Sequence, residues 1–185
     1  IISRWQASLR PDRVVGVHIN MVTAGPPPDL EDPNAGIPAE ELERAQARQE
    51  FFADERGYSN LQGTKPQTLG FGLNDSPAGL AAWIVEKFMT WCDCGDHVEN
   101  EFTKDELLTN ITIYWVTGTI TSSTRIYYES RYTPSSRPIG YIDTPVGCAI
   151  FPHEIFIPPR AWAEAAYNVT HWTEMPRGGH FAALE

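Results

Sequence analysis

Long apolar runs, basic charge and cysteine are all scarce in this 185-residue sequence, and each scarcity excludes something. No stretch approaches the roughly 20 consecutive apolar residues of a membrane-crossing helix. Lys and Arg number 14 against 24 Asp and Glu, a formal net charge of −10. Phosphate contacts need a basic face, so no nucleic-acid partner is expected, and anionic membrane surfaces are disfavoured for the same reason. The 3 cysteines make no disulfide framework. Cys92 and Cys94 are too close in sequence for a relaxed bridge. A tetrahedral zinc site would need a second ligand pair, which Trp91-Cys92-Asp93-Cys94-Gly95-Asp96-His97 lacks. Reduced thiols in a cytoplasmic protein, with no metal and no cofactor, are the expectation. No starting Met, charged n-region or signal-like cleavage site opens the sequence, so targeting is unreadable. Asn110-Ile111-Thr112 and Asn168-Val169-Thr170 fall in helix-like and strand-like runs and are read as chance matches to a glycosylation signal.

What is present is ordinary globular material, 42% hydrophobic and 21% charged, enough for one domain or a core with one insertion. Apolar residues at 1, 2, 5 and 9 predict a short helix over 1–10, stopped by Pro11-Asp12. Residues 14–21 are a nearly continuous β-branched run, as in a buried parallel strand. A turn-rich exit over 25–36 leads to a charged surface helix over 38–56, with Glu40 and Arg44 paired four apart. Residues 62–68 read as a connection. Ser76 as N-cap and Pro77 in the first turn open a helix whose apolar residues, from Leu80 to Met89, wrap most of its circumference and should bury it. Thr103 and Glu106 form a capping-box pattern for the next helix, and 120–130 reads as another. The proline-rich stretch 132–145 reads as a return linker, 146–151 as a strand, 159–167 as a helix and 169–175 as a third strand. Strand–helix segments thus flank a long helical insertion: an α/β fold, part of a parallel-sheet core with an inserted, mostly helical cap.

Two residues stand out in the core segments. After the third strand, Pro176 and the pair Gly178-Gly179 break the pattern, leaving His180 on a loop anchored at both ends. Phe151-Pro152-His153-Glu154 follows directly on a parallel-type strand, at the carboxyl edge where open α/β sheets gather their sites. Glu154 precedes His180 by one helix and one strand, so both should reach the same edge. A carboxylate there can accept a hydrogen bond from one imidazole nitrogen, fix the tautomer and leave the other nitrogen as a base. Asp143 and Glu174 are less well placed rivals.

Five runs in order carry a family resemblance: Gly57-Tyr58; Thr64-Lys65-Pro66-Gln67-Thr68-Leu69-Gly70; Gly72-Leu73-Asn74-Asp75-Ser76-Pro77-Ala78-Gly79-Leu80-Ala81-Ala82-Trp83; Tyr114-Trp115-Val116-Thr117-Gly118-Thr119-Ile120; and Arg177-Gly178-Gly179-His180-Phe181-Ala182-Ala183. Together they resemble the microsomal-type epoxide hydrolases, α/β-hydrolases with a helical cap. The resemblance implies that His180 is the general base, Glu154 its acid partner, and Tyr58 and Tyr127 the cap tyrosines that hydrogen-bond the epoxide oxygen. Tyr127 is preferred to Tyr128 by its place in Arg125-Ile126-Tyr127-Tyr128-Glu129. It further implies a small hydrophobic epoxide as substrate and a place in xenobiotic detoxification, and it leaves room for a homo-oligomer.

The family's nucleophile is an aspartate in a Gly-Gly-Asp-x-Gly turn, a pattern absent from these residues. The expectation is therefore a core segment over 1–24, a cap over 25–140 and a core segment over 141–185. An N-terminal segment carrying the nucleophile would be needed to complete the fold and could add membrane association. Alone, the chain should be inactive and should expose apolar sheet surface. Two rival readings are another capped Asp-nucleophile hydrolase, such as a dehalogenase, and a non-catalytic binding fragment.

Overall fold

A computed structural model describes residues 2–133 and 139–185. The strands β1 (Val17–Ile19), β2 (Ile142–Ile150) and β3 (Tyr167–Glu174) form a parallel sheet in that order, with Val17 opposite Val146 and Ile150 opposite Glu174. Central position explains the near-continuous apolar character of β2, since both its faces are covered towards its end. Val146 and Cys148 join Ala7, Val22, Ile157 and Ala163 in the core. Full burial of each Val or Ile there stabilises the fold by about 1.5–3 kcal/mol at most.

Two boundaries differ from those the sequence predicts. Residues 142–145, expected in the return linker because of Pro145, belong to β2. The β2–β3 register is irregular between Ile142 and Val146, so the N–H that Pro145 lacks breaks no regular ladder there. Tyr167, expected to end a helix, instead begins β3. Its ring is buried, its hydroxyl donates to the Thr23 carbonyl at 3.0 Å, and Arg4 lies 5.0 Å over its face. Residues 134–138 of the expected linker, and Ile1 at the expected start of the first helix, lie outside the described residues. That helix, α1 (Ile2–Leu9), forms as expected, while β1 covers only the middle of 14–21.

Helix α2 (Ala39–Glu55) contains no fully buried residue, in keeping with its predicted place on the surface. Its docking is polar. Glu41 accepts the Arg160 backbone N–H at 2.8 Å; Arg44 makes two bonds, of 2.8 and 3.1 Å, to Glu174; Arg48 donates to the His153 carbonyl at 3.4 Å. Positions 41, 44 and 48 fall on one helical face. The expected Glu40–Arg44 pair is thus replaced by a partner on β3, because a two-pronged carboxylate contact outweighs the few tenths of a kcal/mol of an i,i+4 pair.

The chain divides into two compact units, Ile1–Ala53 with Arg137–Ala182, and Asp54–Ser136 with Ala183–Glu185. Most of α2 therefore belongs with the sheet, although the sequence-based division grouped it with the cap. The second unit holds α3 (Gly57–Thr64), α4 (Pro66–Asp75), α5 (Pro77–Trp91), α6 (Lys104–Thr117) and α7 (Ile120–Tyr132). The segment read as a connection over 62–68 is helical on both sides of Lys65. Its glycines lower helix propensity, but they also permit close packing. A Cβ on Gly70 would sit 2.8 Å from Thr121 Cγ2 of α7, so α4 and α7 meet at a distance only glycine allows. The predicted caps form: Ser76 Oγ accepts from the Gly79 N–H at 3.0 Å, and Thr103 and Glu106 close a capping box. Helix α5, expected to be buried on most sides, buries Leu80, Phe88 and Trp91 and leaves its other residues half-buried or exposed.

Cys92 and Cys94, expected to be reduced, are joined in a disulfide. The chain is extended at Cys92, where α5 ends, and the two Cα atoms lie 5.4 Å apart, inside the range a bridge spans. The thiol argument for a cytoplasmic setting does not extend to this pair; Cys148 is free and buried. Among the described residues, no helix is long and apolar enough to cross a membrane, and no cluster of His, Cys, Asp and Glu is arranged to hold a metal ion.

Candidate active site

Parallel pairing between β2 and β3 does not stop where the strands do. The Met175 N–H donates to the Ile150 carbonyl at 2.8 Å, the His153 N–H to the Gly178 carbonyl at 3.1 Å, and His153 bridges Gly179 in parallel register. These bonds carry the loop after β2 and the loop after β3 side by side past the carboxyl edge. Gly178 makes this possible. It has φ of +106°, and a Cβ built on it would lie 2.6 Å from Phe151 Cδ1. Conformation and space both demand glycine.

The two loops deliver Glu154 and His180 to each other. Glu154 Oε1 lies 2.7 Å from His180 Nδ1 and accepts the Ile155 backbone N–H, also at 2.7 Å. A carboxylate can only accept, so opposite an ionised Glu154 the ring donates through Nδ1, and a neutral ring then carries its lone pair on Nε2, the arrangement a general base requires. Glu154 is 1% exposed while the His180 side chain is 25% exposed, so the acid is sealed and the imidazole reaches outward. The rival carboxylates are elsewhere: Glu174 is engaged by Arg44, and Asp143 is exposed near the start of β2, far from its carboxyl end. Arg48, not anticipated from the sequence, bonds the carbonyl of His153 and feels the charge of Glu154.

In the helical unit, Tyr58 of α3 and Tyr127 of α7 meet edge to face with ring centroids 5.7 Å apart. Tyr128 turns to Tyr132 instead, at 4.6 Å. Trp91 closes on Tyr58 at 5.1 Å. The Lys87 ammonium lies 5.2 Å from the centroid of Tyr58 and 5.1 Å from that of Trp91. Glu55 ties this group together, accepting from Lys87 at 2.9 Å and from the Trp91 indole at 3.0 Å. Burial pushes the Tyr58 phenol well above the ordinary tyrosine range, and the Tyr127 hydroxyl and the Glu55 carboxylate add to the rise. Lys87 is itself raised: burial opposes its charge, but the hydrogen bonds it donates to Glu55 and Glu86 prevail. Lys87 and Trp91 stand one helical turn apart, which was a readable signal; Glu55, on another helix, had none.

Over 180 residues the chain is 42% identical to a putative epoxide hydrolase of Stigmatella aurantiaca, covering 97% of this chain and 40% of that protein. Epoxide hydrolase 1 of Sus scrofa is 45% identical over 141 residues, covering 71% of this chain and 31% of the relative. The crystal structure of juvenile hormone epoxide hydrolase from the silkworm Bombyx mori matches with a TM-score of 0.84 at 31% identity, over 100% of this chain and 48% of that one. No protein-family model matches the chain. The chain thus spans less than half the length of the relatives it resembles. Shared sequence and shared architecture together show that it belongs to the epoxide hydrolases, as a stretch of their α/β-hydrolase fold that combines part of the parallel core with the helical cap.

Proposed function

We propose that this chain supplies the base and the cap of an enzyme that hydrolyses a small hydrophobic epoxide to a vicinal diol, the attacking aspartate coming from a segment of Gly-Gly-Asp-x-Gly type. The observation that carries this is the buried Glu154–His180 bond at a parallel sheet's carboxyl edge, in a chain homologous to epoxide hydrolases. The aspartate oxygen attacks an epoxide carbon, and the breaking C–O bond leaves its electron pair on oxygen. Tyr58 and Tyr127 donate hydrogen bonds to that oxygen, and one passes it a proton, giving a hydroxy-ester. The high Tyr58 pKa keeps its donor proton in place near neutral pH. His180 Nε2 then removes a proton from water, whose oxygen adds to the ester carbonyl. Collapse breaks the ester C–O bond, the departing alkoxide takes the proton of the added hydroxyl, and the proton held by His180 returns through water to the phenolate, so the diol leaves with aspartate, histidine and tyrosine restored. Glu154 holds the ring in the required tautomer and balances the imidazolium that forms.

The test combines the chain with a segment carrying the nucleophile and supplies a small aryl epoxide. Diol should form from the combination and not from the chain alone. His180→Gln should stop after one equivalent, leaving a protein adduct heavier by the mass of the epoxide. Tyr58→Phe should lower kcat/KM on the order of a hundredfold. Undiminished turnover by His180→Gln, or diol formed by the chain alone, would refute the reading. Haloalkanes consumed in preference to epoxides would move it to a dehalogenase.

A further inference from the structure

A carboxylate as buried as Glu154 needs nearby positive charge or additional hydrogen bonds to remain an anion. Both bonds it makes, from His180 and from Ile155, go to Oε1. Oε2 is buried and makes no hydrogen bond among the described residues. A cation on α2 interacts electrostatically with this carboxylate. Arg48 is half-buried, donates to the carbonyl of His153, the residue before Glu154, and rests 4.4 Å over the ring of Phe51. Its Nε is likewise buried without a hydrogen-bond partner among the described residues. Burial weakens the hold of the guanidinium on its proton, and the negative charge of Glu154 opposes that effect. An arginine kept partly dry beside a carboxylate with one unsatisfied oxygen is a charge arrangement, since a packing role alone would be served by an apolar side chain.

We propose that Arg48 is a positioning residue for the acid–base pair: α2 lays a fixed positive charge beside Glu154, and that charge holds the carboxylate as the anionic partner of His180. This deepens the reading of His180 as base and rests on it. The neighbouring charges do not duplicate the effect. Arg44, one turn earlier on α2, is neutralised by Glu174 at the end of β3. His153 and Arg177 lie in the same two loops as Glu154 and His180, and stay constant in the comparison below.

Arg48→Gln removes the charge and keeps a donor for the His153 carbonyl, while Arg48→Lys keeps the charge; both are mild enough to preserve the helix. The side-chain carboxyl of Glu154 is followed by 13C NMR of the full chain against pH, with the signal assigned by its loss in Glu154→Gln. A cation near a carboxylate stabilises the anion. Arg48→Gln should therefore move the Glu154 titration midpoint upward by about 0.5–1 pH unit, the size expected for one partly screened charge. Arg48→Lys should restore it, and Arg44→Gln should leave it nearly in place. Equal midpoints in Arg48→Gln and Arg48→Lys, or an equal shift from Arg44→Gln, would overturn the proposal. Because the spectrum reads the pair without any turnover, failure here is distinguishable from failure of the epoxide assay.

Discussion

Gly178→Ala puts the alignment of the loops after β2 and β3 to the test. Alanine at φ of +106° costs about 1–3 kcal/mol of backbone strain. Its Cβ would also lie 2.6 Å from Phe151 Cδ1 and 3.1 Å from Cε1, so the ring or the loop must move, at a further cost of about 1–3 kcal/mol. Stiffening of the unfolded chain returns about 0.4–1 kcal/mol. The expected net loss is therefore about 3 kcal/mol, summed from those terms. Movement here also strains the bond from the His153 N–H to the Gly178 carbonyl, two residues before His180. Urea denaturation measures the stability, and the His180 Nδ1–H resonance reports whether the bond to Glu154 survives. Gly72→Ala is the internal control: this helical glycine has open space around its Cβ and no positive φ, so alanine there should stabilise by about 0.5–1 kcal/mol. A Gly178→Ala chain as stable as its parent, with the Nδ1–H signal unmoved, would refute the claim that this glycine seats His180.

Two more expectations follow from the sheet unit. Burial pushes the Cys148 thiol up to about 11, with the charge of Arg160 working against the rise. Thiol reagents near neutral pH should therefore label it only as fast as the chain opens, and rapid labelling of the folded chain would contradict its place in β2. The hydrogen bonds from Arg44 hold the Glu174 carboxyl below its ordinary value, against a smaller opposing effect of burial. The contribution of such a group is complete above its unfolded pKa and disappears as pH falls through the lowered one. Arg44→Ala should then cost about 0.5–1 kcal/mol at neutral pH and almost nothing in acid, as urea midpoints at the two pH values would show.

Local chemistry was the legible part of the sequence. Ser76, Pro77, Thr103 and Glu106 announce helix starts because a cap involves residues only three apart. Topology was legible at the site as well, since a strand leading into Glu154 and another leading into the Gly178-Gly179 turn had to end at one edge if the strands were parallel. What could not be read was set by distant partners. Gly63 and Gly70 look like helix breakers until α7 approaches them. Pro145 looks like a strand boundary until the irregular register around it is seen. Arg44 and Arg48 look like solvated charges on a polar helix, and their partners lie over a hundred residues further on.

The manner in which α2 is fastened has a thermodynamic corollary. With no residue fully buried along its length, lifting this helix from the sheet uncovers only half-buried side chains and releases ionic clasps. Such a release carries little heat capacity and a shallow dependence on denaturant, and salt eases it. The outer edge of the candidate site can therefore loosen while the strands beneath it remain as firm as before.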